Sequence, residues 1–254
     1  MPVSPHSKNK LRERTCLKTK KWIGNVPQEI ALYEEFSGYD NLLFWGQLYG
    51  IPKSDLKIKI DAVLKMIGLY DRRKELIKNY SGGMKRRINI AASLLHNPKV
   101  LLLDEPTVGV DPQSRNKIFE LIEELNQQGI TIIYTSHYME EVERLCNRIA
   151  IMDKGKIIAQ GTQNELRQLS KSKESVTIAF ESLSETEFQQ LRDNSNVKAV
   201  KEGNTIVIEG SSAATITDVI KSISNLNLTM TNLEIEKVNL EKIFLELTGK
   251  SLRD

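Results

Sequence analysis

Apolar residues recur at helical spacing in two neighbouring segments, residues 39–51 and residues 54–73. Intervals of three and four residues between apolar positions are typical of helices that bury one face. In the second segment Ser54 and Asp55 are candidate N-cap residues, and Gly68 is the expected end of the helix. The region from about residue 36 to residue 78 is therefore predicted to be mostly helical.

Short apolar runs separated by helical patterns follow. The run "KVLLLDEP" is continuous and flanked by turn residues, which is typical of a strand buried on both faces of a parallel sheet. A helical pattern at 84–98 precedes it, and the runs "ITIIYTSH" and "RIAIMDKG" come later, each after a helical segment. Together with a short strand in "KWIGNVPQ", this alternation predicts an α/β sheet with crossover connections.

The order of elements changes after about Lys171. Strand, helix, two strands, helix and strand follow one another, which is the order of a ferredoxin-like α+β domain. The helical segment "NLEKIFLELTG" then closes the chain. No catalytic constellation occurs in this region, so we expect an accessory domain with a regulatory or dimer-supporting role.

These patterns predict three segments. They are a basic N-terminal arm at 1–21, unrelated to the rest; an α/β domain at 22–170, with a helical subdomain at about 36–80; and the accessory domain at 171–254. The arm carries seven Lys or Arg against Glu13, a local charge of +6 in a chain whose net charge is +3. It has no apolar core and so is not a secretory signal peptide. We expect a solvated tail, and nucleic acid is not expected as a partner.

The composition excludes several classes of protein. A chain of 254 residues with 40% hydrophobic and 27% charged residues is typical of soluble globular proteins. Its apolar stretches are far shorter than the roughly 20 residues of a membrane-spanning helix. Cys16 and Cys146 are far apart and lack metal-ligand spacing, which argues against a disulfide scaffold or a zinc site.

Two motifs carry candidate phosphate chemistry. Ligands of parallel sheets bind at the carboxyl ends of the strands, where Asp104 with Glu105 and Ser136 with His137 are expected to converge. An Asp there can hold Mg²⁺, and an adjacent Glu can polarise a water for attack on a phosphoryl group. Separately, "YSGGMKRR" (80–87) places Ser and Gly at the start of a helix, where free N–H groups bind anions. Its Lys85–Arg87 run is interpreted as a solvated helix face.

In their order and spacing, these motifs resemble those of the ATP-binding subunit of an ABC transporter. Asp104 of "LLLDEPTVGVDP" follows Ser81 by 23 residues, and His137 of "TSH" follows by a further 33. The segments "VPQ" and "GVDP" match the Q-loop and D-loop of that family. The residues of "GGMKRR" and "DEPTVGVDPQSR" are most similar to those of ABC-2 exporters of the multidrug or antibiotic-resistance kind, whose membrane half is a separate chain. The resemblance implies a partial P-loop NTPase sheet with a helical subdomain, and ATP hydrolysis as the activity.

The resemblance also implies roles for individual residues around ATP and Mg²⁺. Asp104 would hold the Mg²⁺, and Glu105 would act as the general base or water-orienting carboxylate. His137 would contact the γ-phosphate. Gln28 would reach the metal and the attacking water, and would sense the membrane partner.

A further set of roles concerns a second subunit. Ser81, Gly82 and Gly83 would clamp the γ-phosphate of ATP bound to the opposite ATPase subunit, in a homodimer or heterodimer, and Asp111 would couple the two sites. A multi-span membrane permease is the other implied partner. Through it the chain would lie in the cytoplasm, peripheral on the inner face of the cell membrane.

The sequence departs from the family in one respect. The family's phosphate loop (Walker A), G-x-x-x-x-G-K-[ST], lies well upstream of the Q-loop, and the 27 residues before Gln28 contain no such motif. A truncated or frameshifted ATPase is the favoured explanation, with little Mg-ATP binding by the chain alone. A non-hydrolysing subunit that donates its "SGG" segment, a missing part on a separate chain, and a soluble ABC-family ATPase unrelated to transport are the alternatives.

Overall fold

The computed structural model describes residues 19, 21–170, 175–195, 197–209, 213–236 and 239–249. Most of the predicted basic arm therefore lies outside the described residues. Contacts between Cα atoms divide the chain into two compact units, Met1–Cys146 and Asn147–Asp254. Among the described residues, no helix is both long and apolar enough to cross a membrane.

The first unit is an α/β structure. Its elements are β1 (Ile23–Val26), α1 (Gly38–Leu48), α2 (Lys53–Met66), a 3₁₀ turn (Ile77–Asn79), α3 (Gly82–Leu94), β2 (Val100–Asp104), α4 (Pro112–Gln127), β3 (Thr131–Thr135) and α5 (Met139–Leu145). The three strands form a parallel sheet in the order β1-β2-β3. Parallel neighbours need crossover connections, and helices supply them here, as the sequence predicted.

The central strand β2 packs one face against the helices. Leu101 and Leu103 are fully buried, whereas Val100 and Leu102 are only half-buried, and Ile133 on β3 is 52% exposed. The prediction of a strand buried on both faces is therefore wrong for the described residues. The alternation arises because α3 packs closely on one side: a Cβ on Gly24 of β1 would lie 2.7 Å from the Ser93 carbonyl oxygen of α3.

The predicted helical region is confirmed, with one correction. Helix α2 begins at Lys53 after the N-cap residue Pro52, so neither Ser54 nor Asp55 caps it; the Ser54 hydroxyl donates to Asp55 instead. Gly68 does end the helix, as predicted. It adopts a left-handed conformation (φ 66°), which glycine reaches without steric cost.

The second unit begins with an antiparallel hairpin. Strands β4 (Ile149–Asp153) and β5 (Lys156–Gly161) pair across a turn at Lys154 and Gly155, both with positive φ. Two consecutive positive-φ residues match the right-handed twist of a tight hairpin. The expectation that "RIAIMDKG" continues the parallel sheet is therefore wrong.

The remaining elements form the predicted ferredoxin-like arrangement. They are α6 (Gln163–Arg167), β6 (Ser175–Phe180), α7 (Glu185–Ser195), β7 (Ala199–Glu202), β8 (Thr205–Glu209), α8 (Ala213–Asn225), β9 (Met230–Glu236) and α9 (Leu240–Thr248). The sheet order is β7-β8-β6-β9 with antiparallel pairing throughout. Its core contains Val176, Ile178, Ile206 and Ile208 from the strands and Leu191 from α7.

The boundary between the two compact units lies after Cys146, which is earlier than the predicted domain boundary after residue 170. Helix α6 packs on β5 and on α9, and the Ser170 hydroxyl donates to the Glu246 carboxylate at 2.9–3.0 Å. The β4–β5 hairpin and α6 therefore group with the C-terminal elements. The limits of the predicted domains otherwise stay predictions.

Candidate functional site

Glu105 lies at the centre of a polar cluster at the carboxyl ends of the three parallel strands. Gln28 follows β1, Asp104 ends β2, and His137 follows β3. The Gln28 Nε2 group donates to Glu105 Oε2 at 2.9 Å, and His137 Nδ1 lies 3.2 Å from Glu105 Oε1. The structure thus brings together the four residues that the sequence suggested for catalysis and metal binding.

Thr135 at the end of β3 orients both acids of the cluster. Its hydroxyl donates to Asp104 Oδ1 at 2.6 Å, and its carbonyl and hydroxyl oxygens accept from the Glu105 amide at 3.1 and 3.2 Å. These bonds hold Glu105 in the left-handed region, with φ of 43°. That conformation costs a non-glycine residue about 1–2 kcal/mol and is concentrated at functional sites.

The oxygen donors of this cluster fit magnesium bound to a nucleotide. Mg²⁺ is held by one or two carboxylates, with phosphate oxygens and waters completing an octahedron. Asp104 supplies a carboxylate, and Gln28 retains an amide oxygen because its nitrogen is directed at Glu105. No group of three His, Cys, Asp or Glu residues in the described part of the chain could form a protein-only metal cage. The residues present therefore fit a metal that the phosphates share.

The "SGG" segment has two glycines with different surroundings. Ser81 caps α3, and its hydroxyl accepts from the Met84 amide at 3.3 Å. Gly82 is exposed, and a Cβ built on it would have its nearest neighbour at 3.8 Å, the Gly109 carbonyl oxygen. Gly83 is buried, and a Cβ there would overlap the Ser114 side chain. Close helix packing therefore requires Gly83, while only Gly82 leaves open backbone for a ligand.

Asp111 belongs to the same surface as the glycines. It caps α4, and its Oδ1 accepts from the Ser114 amide at 2.9 Å, on the residue that Gly83 packs against. Hydrogen bonds from Ser114 lower the pKa of Asp111. The predicted site residues thus fall into two groups, one around Glu105 and one that joins Ser81–Gly83 to Asp111.

Comparison with known proteins decides the family. The family model described as "ABC transporter" matches residues 5–108, a stretch that begins inside the predicted N-terminal arm. The chain is 43% identical over 241 residues to the linearmycin resistance ATP-binding protein LnrL of Bacillus subtilis, covering 93% of this chain and 78% of that protein. This chain belongs to the ABC transporter family.

Further relatives agree. The Nod factor export ATP-binding protein I of Cupriavidus metallidurans is 32% identical over 235 residues, covering 91% of this ABC chain and 74% of that protein. Among solved structures, cbiO1 from Clostridium perfringens, part of the ABC transporter complex cbiONQ, aligns with a TM-score of 0.55 and 32% identity, over 60% of this chain and 62% of that one. The fold class and the family are confirmed, and with them ATP as the nucleotide and ATP hydrolysis as the family's activity. The roles of individual residues stay predictions.

One buried acid of this ABC chain escaped the sequence analysis. Glu141 on α5 is 3% exposed, and its carboxylate accepts from Thr107 Oγ1 at 2.8 Å, Tyr134 Oη at 2.7 Å and Ser136 Oγ at 3.0 Å. Arg115 Nε lies 3.7 Å away. Burial raises the pKa of Tyr134 far above its ordinary value, so the phenol stays a donor. The sequence does not distinguish Glu141 from its neighbour Glu140, which is exposed.

The position of Glu141 matters because its partners lie beside site residues. Thr107 is in the loop that leads from Glu105 to Asp111, and Ser136 immediately precedes His137. A single carboxylate therefore joins the two loops that carry these groups.

The interpretation of Lys85–Arg87 as a solvated helix face is wrong. Arg86 and Arg87 are 3% and 9% exposed, and only Lys85 reaches the surface, where it pairs with Glu34 at 2.5 Å. Arg86 donates to the carbonyl oxygens of Pro27 and Gln28, and Arg87 to that of Ile67. Loops whose carbonyl oxygens lack strand or helix partners face α3, and the two guanidinium groups satisfy them.

Proposed function

We propose that this chain is the ATP-binding subunit of an ABC exporter, that it works with a separate membrane permease, and that its Ser81–Gly83 segment contacts ATP held by a second ATPase subunit. The observation that carries the proposal is the separation of the site residues into two groups. In the first group, Glu105 contacts Gln28 and His137, and Thr135 hydrogen-bonds to the adjacent Asp104. In the second group, Gly82 presents open backbone at the start of α3. The names of the relatives, linearmycin resistance and Nod factor export, support export as the direction.

The Glu105 group suits phosphoryl transfer to water. Magnesium bound there would neutralise phosphate charge, and Asp104 and Gln28 would hold it. The Glu105 carboxylate would orient the attacking water and accept its proton. His137 would hydrogen-bond a γ-phosphate oxygen with the ring nitrogen that does not face Glu105, since Nδ1 already contacts that carboxylate.

The Ser81 group suits a phosphate supplied by another subunit. The first N–H groups of a helix lack intrahelical acceptors, and the positive end of the helix dipole favours an anion. Gly82 has no Cβ to hinder an approaching phosphate, and the Ser81 hydroxyl adds a further polar group. Asp111, linked to Gly83 through Ser114, would lie at the same subunit interface.

Mixed dimers with a complete ABC ATPase subunit test this assignment. Ser81→Arg places a long side chain over the open backbone at Gly82, so we expect it to abolish hydrolysis of the ATP held by the complete partner. Glu105→Gln is expected to leave hydrolysis of the ATP held by the partner unchanged. Ser54→Arg, the same change at another exposed serine near the start of a helix, is the control. Unchanged partner hydrolysis in the Ser81→Arg dimer would refute the proposal.

An aromatic surface is the proposed contact with the permease. It comprises Tyr33, Phe36, Phe44, Trp45 and Tyr49, whose neighbouring rings have centroids 5.0–6.2 Å apart. Tyr33 and Phe36 are 50% and 44% exposed, and the Trp45 indole N–H is buried without an acceptor among the described residues. Exposed apolar patches mark interaction sites, and the exposed rings of Tyr33 and Phe36 therefore support contact with a partner here.

Co-purification with the products of neighbouring genes, a multi-span permease being the expected partner, tests the aromatic surface. Tyr33→Ser together with Phe36→Ser is expected to reduce recovery of the permease, because the exposed apolar contact area is removed while the backbone hydrogen bonds of both residues stay. Trp22→Ser, at an exposed aromatic residue outside this surface, is the control. Co-sedimentation with ribosomes in place of permease binding would favour a soluble ABC ATPase unrelated to transport.

A further inference from the structure

Arg86 holds the turn that follows β1. It lies on α3 and is 3% exposed. Its Nη1 donates to the Pro27 carbonyl oxygen at 2.7 Å and its Nη2 to the Gln28 carbonyl oxygen at 2.5 Å. Strand pairing of β1 ends at Val26, so these carbonyl groups lie beyond the sheet ladder. The planar fork of the guanidinium group donates to both carbonyl oxygens at once, in a fixed geometry.

The turn in question carries a side chain that reaches Glu105. Gln28 is exposed, yet its Nε2 donates to Glu105 Oε2 at 2.9 Å. An exposed glutamine loses rotamer freedom when it makes such a bond, and that loss is comparable to what one exposed hydrogen bond contributes. The contact therefore depends on a backbone that is already held in place, and Arg86 is the side chain that holds it.

The helix that bears Arg86 is also the helix that begins with the "SGG" segment. Ser81 caps α3, and Arg86 lies on its second turn. Lys85 adds an ion pair from the same helix to Glu34, a few residues beyond Gln28. The backbone of Gln28 is thus attached to the helix whose first turn presents Ser81 and Gly82.

We propose that Arg86 is a positioning residue, which fixes the Pro27–Gln28 turn so that the Gln28 side chain stays within hydrogen-bonding distance of Glu105. This inference rests on the proposed function for the role of Glu105 in hydrolysis. The placement of Gln28 by Arg86 is itself a property of the chain without nucleotide.

Arg87 provides a matched comparison. It is the next residue on α3, is similarly buried at 9% exposure, and also donates to a backbone carbonyl oxygen, that of Ile67 at 2.7 Å. It makes no hydrogen bond to the Pro27–Gln28 turn among the described residues. Replacing either arginine by lysine keeps the charge and removes the planar fork, so a general loss of stability affects both variants alike.

The test is NMR of the side-chain amide of Gln28 in the full chain, with no nucleotide present. Its signal is assigned from its absence in Gln28→Glu. In Arg86→Lys we expect the signal to move toward its position in Glu105→Ala, and its hydrogen exchange to accelerate about fivefold, the factor for one lost hydrogen bond of ordinary strength. In Arg87→Lys the signal is expected to stay in place.

Two results would overturn the proposal. One is an unchanged Gln28 signal in Arg86→Lys, and the other is an equal change in both arginine variants, since that reports lost stability. Circular dichroism verifies that each variant is folded, and Arg86→Gln replaces Arg86→Lys if the latter is not. Because the measurement needs neither ATP nor a partner, its failure is distinct from failure of the proposed function, which the Ser81→Arg dimer decides.

Discussion

Glu105 Oε2 accepts a hydrogen bond of 2.9 Å from Gln28 Nε2, and the contact joins the ends of the adjacent parallel strands β1 and β2. The other carboxylate oxygen faces His137 Nδ1 at 3.2 Å. The carboxylate is thus oriented from both sides while its backbone is held at a positive φ. Such an arrangement positions a base before substrate arrives, because neither oxygen needs to reorganise.

Glu105→Gln is expected to lower hydrolysis at the site that Glu105 serves by about 100-fold or more, since an amide cannot accept the proton of the attacking water. The amide keeps the shape of the carboxylate, so nucleotide binding by the assembled transporter should persist. Single-turnover hydrolysis in the assembly measures the effect. Glu120→Gln, at an exposed position on α4, is the control and should hydrolyse at the wild-type rate.

Gly83→Ala is expected to destabilise the chain by about 1–3 kcal/mol, because the added methyl group would overlap Ser114 on α4. Gly82→Ala should change stability much less, since its Cβ would have no neighbour closer than 3.8 Å. Chemical denaturation compares the two variants. Ser114→Gly in the Gly83→Ala background should recover part of the loss, and equal stability of the two alanine variants would contradict the packing explanation.

Part of this fold could be predicted because local patterns decide it. The spacing of apolar residues gave the helices, the "LLLD" run gave a strand ending in an acid, and the order of elements gave the C-terminal arrangement. The hairpin at Lys154 and Gly155 was missed because a strand's apolar pattern does not reveal which neighbour it pairs with. The available signal in the sequence was Gly155 between two short apolar runs, which is typical of a hairpin turn.

The site was less predictable, because burial of polar residues depends on tertiary packing. Arg86 and Lys85 are adjacent basic residues with the same sequence character, and only the approach of the Pro27–Gln28 turn buries one of them. On α5, Glu140 and Glu141 are likewise adjacent acidic residues, of which only Glu141 is buried. The hydroxyl groups of Thr107, which is 34 residues away, and of Tyr134 on β3 decide which glutamate is enclosed.

Glu141→Ala is expected to destabilise the chain by about 3 kcal/mol or more, because three hydroxyl donors lose a shared acceptor inside the protein. Glu141→Gln should cost less, since its amide keeps one acceptor oxygen. Chemical denaturation measures both variants, with Glu140→Ala as the exposed control on the same helix. If Glu141→Ala unfolds at the wild-type denaturant concentration, the cluster does not contribute to stability.

His96 makes stability depend on pH in a direction that its surroundings determine. Its Nε2 lies 3.0 Å from the Ile23 carbonyl oxygen and its ring centroid 4.3 Å from that of Tyr49. Burial lowers the pKa of His96, with an opposing contribution from the bond to Ile23 and a further lowering by Lys59. The folded chain therefore binds a proton at His96 less readily than the unfolded chain does.

The direction in which stability changes with pH follows from proton linkage. Below the ordinary histidine pKa of about 6.5 the unfolded state binds more protons, so the stability that neutral His96 contributes is present above that pH and is lost as the pH falls. His96→Gln, whose Nε2 can still donate to Ile23, should lose less unfolding free energy than the wild type between about pH 7.5 and pH 5. Urea denaturation at the two pH values measures this difference. Carboxylates titrate in both proteins and cancel in the comparison, so an identical loss in the variant would show that His96 does not contribute.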